Sequence, residues 1–282
     1  MPEINLVDHS FKDYLEESEI TIQISLNGFS FCISTPSDKT IRVFRSYRFL
    51  HAVMLEDVLN ETMSIVLKDD LLKLSFKKAK AIFINRKSTI VPNEFFNPEL
   101  SKKILEFNQP IDDLDELHFN SIENIHSKLI FTFPSYLAGI LSDHFKNISF
   151  YNQSFPLIQL LHNLPSGEND FKIGINLNKE FFDMVVIKND NLKLSNNYLY
   201  VNSTDLLYFI LFVCKQLEIN PAASLFYFTG EQCSNQELLH GLSGYLKNIV
   251  HPETIDGASF SIRLKQEVFS QYATLFKLAL CE

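Results

Sequence analysis

The sequence predicts an α/β protein with two lobes of similar organisation. Segments in which apolar and polar residues alternate, as in half-buried strands, precede segments with apolar residues three or four positions apart, as in helices. The order strand, strand, strand, helix, strand begins at Ile20 and occurs again from Phe171. Because 282 residues allow one large or two modest domains, we interpret the repeated order as an internal duplication.

The composition is that of an ordinary folded protein. Hydrophobic residues make up 46% and charged residues 21% of the chain, which excludes extensive disorder. The formal net charge of −9 disfavours binding to nucleic acid, and the longest apolar stretch, Leu206–Val213, is too short to span a bilayer. The four cysteines include no Cys-x-x-Cys pair, a spacing typical of zinc sites. We therefore expect a cytoplasmic protein without an integral membrane segment, a metal site or a nucleic-acid partner.

The first copy opens with a predicted hairpin. Ile20–Leu26 alternates between apolar and polar residues. It is followed by Asn27-Gly28, a dipeptide typical of two-residue turns whose central residues have positive φ. The pattern then predicts, in chain order, strands at Phe29–Ser34 and Thr40–Phe49, a helix over Leu50–Val66 and a strand at Ala81–Asn85.

The second copy has the same layout. It opens with an alternating strand at Phe171–Leu177 and a turn at Asn178-Lys179-Glu180. Its helix begins at Ser203, a residue type that caps helices, and a wide apolar stripe indicates burial on most sides. The remaining elements are strands at Phe181–Lys188 and Leu192–Val201, a helix over Ser203–Leu217 and a strand at Ser224–Phe228, which ends at Thr229-Gly230.

Further elements lie between and after the two copies. The turn-rich segment Ser166–Asp170 is the best linker in the chain, so we predict a first domain at residues 1–168 and a second at 169–282. The terminal helix, at about 266–281, is expected to pack back on the first domain. The other predicted elements are helices at Pro98–Phe107, Ser135–Phe145 and Phe155–Leu164 and strands at Ser127–Phe133, Asn147–Tyr151 and Ser259–Leu264.

The duplicated layout resembles the actin-like ATPase superfamily, which includes actin, the seventy-kilodalton heat-shock proteins and sugar kinases. Within it, the chain is most similar to small bacterial members that serve type IV pilus and secretion assembly, and to an uncharacterised bacterial family of unknown function. The resemblance covers the chain from about Ile20 to Leu280. It implies two ribonuclease H-like domains, each with a mixed five-stranded sheet flanked by helices.

Three short motifs form the nucleotide site of that superfamily. Two are Asp-x-Gly turns, one in the first hairpin of each domain, and the third is a Gly-Gly turn after a later strand. In this sequence they fall on Leu26-Asn27-Gly28, Asn176-Leu177-Asn178 and Gly230-Glu231. The resemblance therefore implies candidate cofactor-binding positions at Asn27, Gly28, Asn176, Asn178, Lys179 and Gly230.

Each motif departs from the superfamily pattern. Leu26 and Asn176 stand where the superfamily has the aspartates that hold the magnesium hydration shell. Asn178 and Glu231 replace glycines, and a glutamate adds bulk and negative charge beside a polyphosphate. Asparagine can coordinate magnesium weakly through its carbonyl oxygen but cannot activate water as a base. We therefore expect a degenerate site without catalytic residues, as in a pseudo-ATPase.

Three functions remain open at this stage. The preferred hypothesis is a non-catalytic interaction or scaffold module with a protein partner and no cofactor. The alternative is a divergent protein that binds ATP and magnesium with weak or no hydrolysis. The third is a small-molecule kinase, whose only candidate base is Asp183, a carboxylate in an apolar strand that otherwise points outward.

One basic and aromatic stretch lies on the third predicted strand. It contains Arg42, Arg45, Tyr47 and Arg48. A binding face is one interpretation of this stretch. The simpler interpretation is that the arginines are solvated on an exposed strand face.

Overall fold

Strands and helices alternate along the chain in a computed structural model, which describes residues 1–50, 54–166, 170–255 and 257–281. The strands are β1 (Ile4–Val7), β2 (Glu19–Ser25), β3 (Gly28–Thr35), β4 (Thr40–Arg48), β5 (Lys78–Phe83), β6 (Ser88–Pro92), β7 (Asp115–Ile122), β8 (Ser127–Pro134), β9 (Ile148–Tyr151), β10 (Phe171–Leu177), β11 (Phe181–Lys188), β12 (Asn191–Leu199), β13 (Leu225–Thr229), β14 (Asn248–Val250) and β15 (Ser259–Phe260). The helices are α1 (Leu55–Lys68), α2 (Ser101–Asn108), α3 (Ser135–His144), α4 (Ser154–His162), α5 (Ser203–Gln216), α6 (Gln236–Leu242), α7 (Gln266–Gln271) and α8 (Ala273–Ala279).

The chain divides into two compact units. The first unit comprises Met1–Phe155 together with Gly257–Arg263 and Leu278–Glu282, and the second comprises Pro156–Asp256 and Leu264–Lys277. Residues 167–169, where the sequence places the domain boundary, lie outside the described residues. Within the described residues, every helix is too short or too polar to cross a lipid bilayer.

The main sheet of the first unit has the strand order β4-β3-β2-β5-β9. Strands β2, β3 and β4 form an antiparallel meander, and β5 and β9 continue from β2 in parallel pairing. Strands β1 and β15 add to different parts of β4. The alternating apolar residues Ile20, Ile22 and Ile24 are fully buried, as a strand packed against a core requires.

The second unit repeats this arrangement. Its sheet has the order β12-β11-β10-β13-β14, with an antiparallel meander of β10, β11 and β12 and parallel pairs β10 with β13 and β13 with β14. Alternate residues Ile173, Ile175 and Leu177 of β10 enter a core that includes Leu206 and Ile210 of α5. The mixed sheet predicted for each lobe is therefore confirmed, with five strands in the second unit and seven in the first, where β1 and β15 are added.

A smaller antiparallel sheet is inserted between β5 and β9 of the first unit. Its order is β6-β8-β7, and it packs on α2 through a small cluster that includes Val91, Leu105 and Ile130. Of its three strands, only β8 is predicted by the sequence pattern. The alternation in β7 is short, because only Leu117 and Phe119 are apolar before the adjacent polar residues Asn120 and Ser121 end it.

Two predicted helices have different bounds in the structure. Helix α1 begins at Leu55 because the Asp57 carboxylate accepts the Met54 N–H at 3.0 Å and caps it there, so Leu50 lies before the helix. Val53, also assigned to the helix, lies outside the described residues. The predicted terminal helix is divided into α7 and α8 at Tyr272, whose backbone leaves helical angles with φ −111° and ψ 19°. The apolar spacing continues across this break, so the pattern could not show it.

Helix α5 also differs from the sequence interpretation. Asn202, not Ser203, caps α5 by accepting the N–H groups of Thr204 and Asp205. The helix also leaves Tyr208 62% exposed, so it is buried on fewer sides than its stripe predicts.

The arginines of β4 are held by partners. Arg42 is 7% exposed, donates to Thr35 Oγ1 at 3.1 Å and lies over the ring of Tyr14. Arg45 Nη1 lies 2.6 Å from Asp69 Oδ1. Of the three arginines only Arg48 is mostly exposed, so the interpretation of a solvated row is wrong for the other two.

Candidate functional site

The first motif position lies at the β2–β3 hairpin of the first unit. Ser25 pairs with Gly28, so the two turn residues are Leu26 and Asn27. Neither turn residue nor Gly28 has positive φ, which corrects the predicted turn type. Glycine is needed at position 28 for a different reason. A Cβ there would lie 2.4 Å from the backbone oxygen of Tyr47, a distance that no side chain can accept.

The second and third motif positions meet at one corner of the second unit. Asn176 is near the end of β10. It pairs across the sheet with Asp183 on β11 and with Thr229 on β13. β10 and β13 are parallel neighbours, so their carboxyl ends share one edge of the sheet. Such edges are where open α/β sheets bind ligands. The sequence-predicted residues Asn176, Asn178 and Gly230 are therefore brought together here.

A polar row crosses this end of the sheet. Thr229 Oγ1 donates to Asn176 Oδ1 at 3.2 Å, and Asn176 Nδ2 donates to Asp183 Oδ2 at 3.1 Å. Asn178 Nδ2 lies 3.4 Å from the same Asp183 oxygen. Asn197 of β12 is level with Asp183 and extends the row. All five side chains are buried, and the hydrogen bonds among Thr229, Asn176, Asp183 and Asn178 replace those that water would supply.

Asp183 occupies the middle of this row. It is 2% exposed, which corrects the expectation of an outward-facing carboxylate. Its carboxylate accepts from two amide groups of the same unit. One carboxylate oxygen, Oδ2, is therefore used for hydrogen bonds within the fold.

Gly230 closes the corner from the other side. Its φ is +92°, a conformation that L-residues rarely adopt. A Cβ at this position would lie 2.7 Å from Asn176 Oδ1 and 2.6 Å from the backbone oxygen of Leu177. The Leu177 oxygen also accepts the Gln232 N–H at 3.0 Å. The space beside Gly230 is therefore filled by the protein's own polar atoms.

The other residues of the corner are exposed to solvent or bonded to its backbone. Lys179 is exposed at the turn after β10. Tyr200 donates its hydroxyl to the backbone oxygen of Asn178. Burial, with a smaller contribution from the negative charge of Glu231, raises the pKa of Tyr200 to about 12. Glu231 itself is exposed directly after Gly230.

These residues do not fit a magnesium-bound triphosphate. Magnesium binds oxygen ligands, commonly the carboxylates of one or two acidic side chains. The one carboxylate of the row, Asp183, is buried and accepts from Asn176 and Asn178, while the Asn176 oxygen accepts from Thr229. Glu231 places a negative side chain where the superfamily has a glycine.

Sequence reasoning missed part of this row. It did not assign Asn197 or Tyr200 to the corner, and it used Thr229 only as a strand end. The sequence does contain a signal for this row. Asn176, Asp183 and Thr229 are polar residues within strands that are otherwise almost entirely apolar, and buried polar side chains need one another as partners.

A second feature is a groove in the first unit. None of the site residues predicted from the sequence lines it. Its volume is about 600 Å³, and it is lined by residues 118–121 of β7, residues 148–151 of β9 and Phe155. We call it the β7–β9 groove. The Asn120 side chain crosses it, since Nδ2 donates to the Phe150 oxygen at 3.0 Å and Oδ1 accepts the Asn152 N–H at 3.3 Å.

The imidazole of His118 packs in this groove, and we predict that it makes stability dependent on pH. The ring stacks on Phe131 and contacts Phe150, and its burial lowers its pKa although Glu116 acts in the opposite direction. A histidine whose pKa is lowered by folding is protonated preferentially in the unfolded chain. The free energy of unfolding should therefore be highest above about pH 6.5 and fall as the pH decreases below it.

The measurement is urea unfolding between about pH 7.5 and 5.5. His118→Gln should lose less stability over this interval than the wild-type chain, because the substituted side chain takes up no proton. His9→Gln, at an exposed position, is the matched control and should behave like the wild type. Equal pH dependence in all three proteins would contradict the prediction.

The family is decided by a match over most of the chain. Residues 10–249 match the family described as "Protein of unknown function (DUF3822)". The chain belongs to this family. A comparison of the DUF3822 chain with curated proteins gives no match.

Solved structures similar to the DUF3822 chain share its fold. One is a protein from Bacteroides thetaiotaomicron with an actin-like ATPase fold and unknown function, with 19% identity and a TM-score of 0.80 over 98% of this chain and 100% of that one. Another is the PilM–PilN type IV pilus biogenesis complex, with 10% identity and a TM-score of 0.63 over 93% of this chain and 97% of that one. The DUF3822 chain therefore has the actin-like ATPase fold, and the resemblance drawn from its sequence is confirmed.

Proposed function

We propose that this chain is a non-catalytic protein-interaction module of the cytoplasm that neither requires nor hydrolyses ATP. The observation that carries the proposal is the Asn176 amide, which is bonded at both ends by Thr229 and Asp183. In the superfamily an aspartate holds the magnesium shell at this position. Here the side chain at this position is bonded within the sheet, which supports a role that uses the fold without its catalysis.

A protein partner is supported by a similar fold in a complex. The matched structure of PilM is a complex with PilN, and PilM shares this fold with a TM-score of 0.63. A chain with this architecture can therefore serve as a platform for another protein. The net charge of −9 favours partners that carry basic patches around their contact surfaces.

The second candidate is ATP binding without hydrolysis. Gly28 and Gly230 are retained at two motif positions, and glycine permits a close approach of backbone N–H groups to phosphates. The other candidate positions, Asn27, Asn176, Asn178 and Lys179, would then contribute polar contacts. Against it stands the use of both ends of the Asn176 amide within the fold.

Thermal unfolding with ATP and magnesium separates the two candidates. We expect no change in Tm at millimolar ATP and no release of phosphate. A ligand present at about 100 times its dissociation constant would instead add about 2.7 kcal/mol of stability.

Magnesium alone and inorganic tripolyphosphate are the controls for non-specific ion effects. A rise in Tm with ATP and magnesium that neither control reproduces would overturn the proposal in favour of nucleotide binding. Turnover that disappears in Asp183→Asn would revive the kinase hypothesis.

A further inference from the structure

We propose that the β7–β9 groove binds an uncharged, extended peptide segment of a separate protein, which pairs with the outer edge of β9. This inference rests on the proposed function, because it names the surface and the chemistry of the partner. It uses only residues of the first unit, all of them described. None of them belongs to the polar row of the second unit.

The outer edge of β9 is unpaired within the described residues. β9 is the last strand of its sheet and β7 is the last strand of the inserted sheet, and no other strand pairs with either on the groove side within the described parts of the chain. The oxygen of Phe150 points into the groove, because it accepts from Asn120. Along a strand, the backbone N–H and C=O groups of successive residues point to opposite edges. Ile148 is two residues before Phe150, so its N–H and C=O point to the same edge as the Phe150 oxygen, toward the groove. Exposed edges of this kind are templates for an added strand.

Asn120 already pairs with the backbone at this edge. Its side-chain amide donates to one backbone group and accepts from another, both on the outer side of β9. A primary amide offers the donor and acceptor of a peptide group, so Asn120 occupies the place of one residue of a pairing strand. Beyond it the edge is free to continue the same pattern with a peptide from another protein.

The composition of the walls also limits what the groove can accept. The aromatic residues Phe119, Phe150, Tyr151 and Phe155 are among the lining residues, with Ser121 and Ser149 as small polar positions. No lysine, arginine, aspartate or glutamate is among the lining residues. A phosphate or a charged side chain would therefore enter without a counter-charge, at a high desolvation cost. Alternate apolar side chains of an extended peptide would instead contact the rings.

The volume is compatible with such an occupant. About 600 Å³ lies within the range of about 300–1,000 Å³ that is typical of ligand sites. A groove bounded by two sheet edges also fits a strand better than a helix, because a strand satisfies the backbone groups of the edge. We therefore assign the groove to a neutral strand-forming segment.

The experiment is selection of peptides followed by measured binding. Phage-displayed random dodecapeptides are selected on the full chain, and selected peptides are synthesised with a fluorophore for polarisation measurements. We expect uncharged sequences with alternating apolar residues. Copies that are N-methylated at every second residue should bind at least about tenfold more weakly, because methylation removes the N–H groups that pair with the edge.

Paired variants test the location. Ser149→Arg fills the groove from β9 at an exposed position and should weaken binding by at least about tenfold. Ser142→Arg places the same side chain on the exposed surface of α3, outside the groove, and should leave affinity unchanged. Hydrogen exchange of the wild-type chain gives a readout that does not depend on any variant. The amide of Ile148 should become protected when peptide binds.

Several results would overturn the inference. These are the absence of any binding peptide, equal affinity for the N-methylated copies, equal affinity of Ser149→Arg and wild type, or protection of amides outside β9 only. Concentration-dependent dimerisation abolished by Ser149→Arg would assign the groove to a second copy of this chain instead. Failure here leaves the ATP experiment unaffected, so the loss of the groove and the loss of the proposed function can be distinguished.

Discussion

Replacing Lys80 with methionine is expected to lower the free energy of unfolding by about 3–5 kcal/mol. Lys80 Nζ lies 3.0 Å from Glu19 Oε2, and the two side chains are 5% and 7% exposed. The same ammonium group donates to the backbone oxygen of Cys281. Removing it leaves the Glu19 carboxylate buried without its counter-charge, which costs far more than the loss of a surface ion pair.

Urea unfolding followed by circular dichroism measures this effect. Lys78→Met is the matched control, because Lys78 is exposed on the same strand, and its free energy of unfolding should change by less than about 0.5 kcal/mol. Glu19→Gln combined with Lys80→Met should be more stable than Lys80→Met alone, since the isolated charge is then removed. Equal losses for Lys78→Met and Lys80→Met would show that the buried pair is not important for stability.

Gly230→Ala should be the second most damaging change, with a loss of about 2–4 kcal/mol. One contribution is backbone strain, because φ is +92°. The other is steric, because the new Cβ would lie between 2.6 and 2.8 Å from the backbone of Leu177 and from Asn176 Oδ1. Backbone atoms cannot move aside as a flexible side chain does, so the polar row itself would have to shift.

The control for this substitution is Gly244→Ala. A Cβ at Gly244 meets no atom within 4 Å, and its φ is not positive. Thermal and urea unfolding should therefore show little change for Gly244→Ala. A Gly230→Ala protein as stable as the wild type would mean that the corner is open enough to accept a ligand, which would weaken the proposal of a non-catalytic module.

The order of the sheets could be predicted because their strands carry a strong physical signal. In β2 and β10 the alternation of apolar and polar residues follows directly from the pleat, which sends successive side chains to opposite faces. Ile20, Ile22, Ile173 and Ile175 are all fully buried, as that alternation indicates. Since the same signal occurs in both copies, it also predicts that the two sheets have one strand order.

Other parts of the fold carry no such signal. β1 is a short edge strand, and β7 is the edge strand of the small inserted sheet, where residues 118–121 line a groove. The caps are displaced by one residue from prediction, as at Asn202, because two neighbouring residue types can serve equally well as caps. Which of the two residues caps the helix depends on where the preceding strand ends.

Part of the candidate site could be placed from the sequence, but its chemistry could not. The motif positions bring Asn176, Asn178 and Gly230 together, as the resemblance implies. The sequence could not show that Asp183 turns inward to join them, because pairing across the sheet brings together residues that are distant in the chain. The groove was not predictable either, since it depends on two sheet edges that meet only in the folded unit.

The first unit has a consequence for synthesis on the ribosome. Its strand β15 pairs with Thr40 and Ile41, and Leu278 in its last segment is completely buried, yet both are translated after the second unit's sheet. The lobe that emerges first is therefore completed last. Until those late residues arrive, part of the edge of nascent β4 is unpaired, and unpaired strand edges favour aggregation.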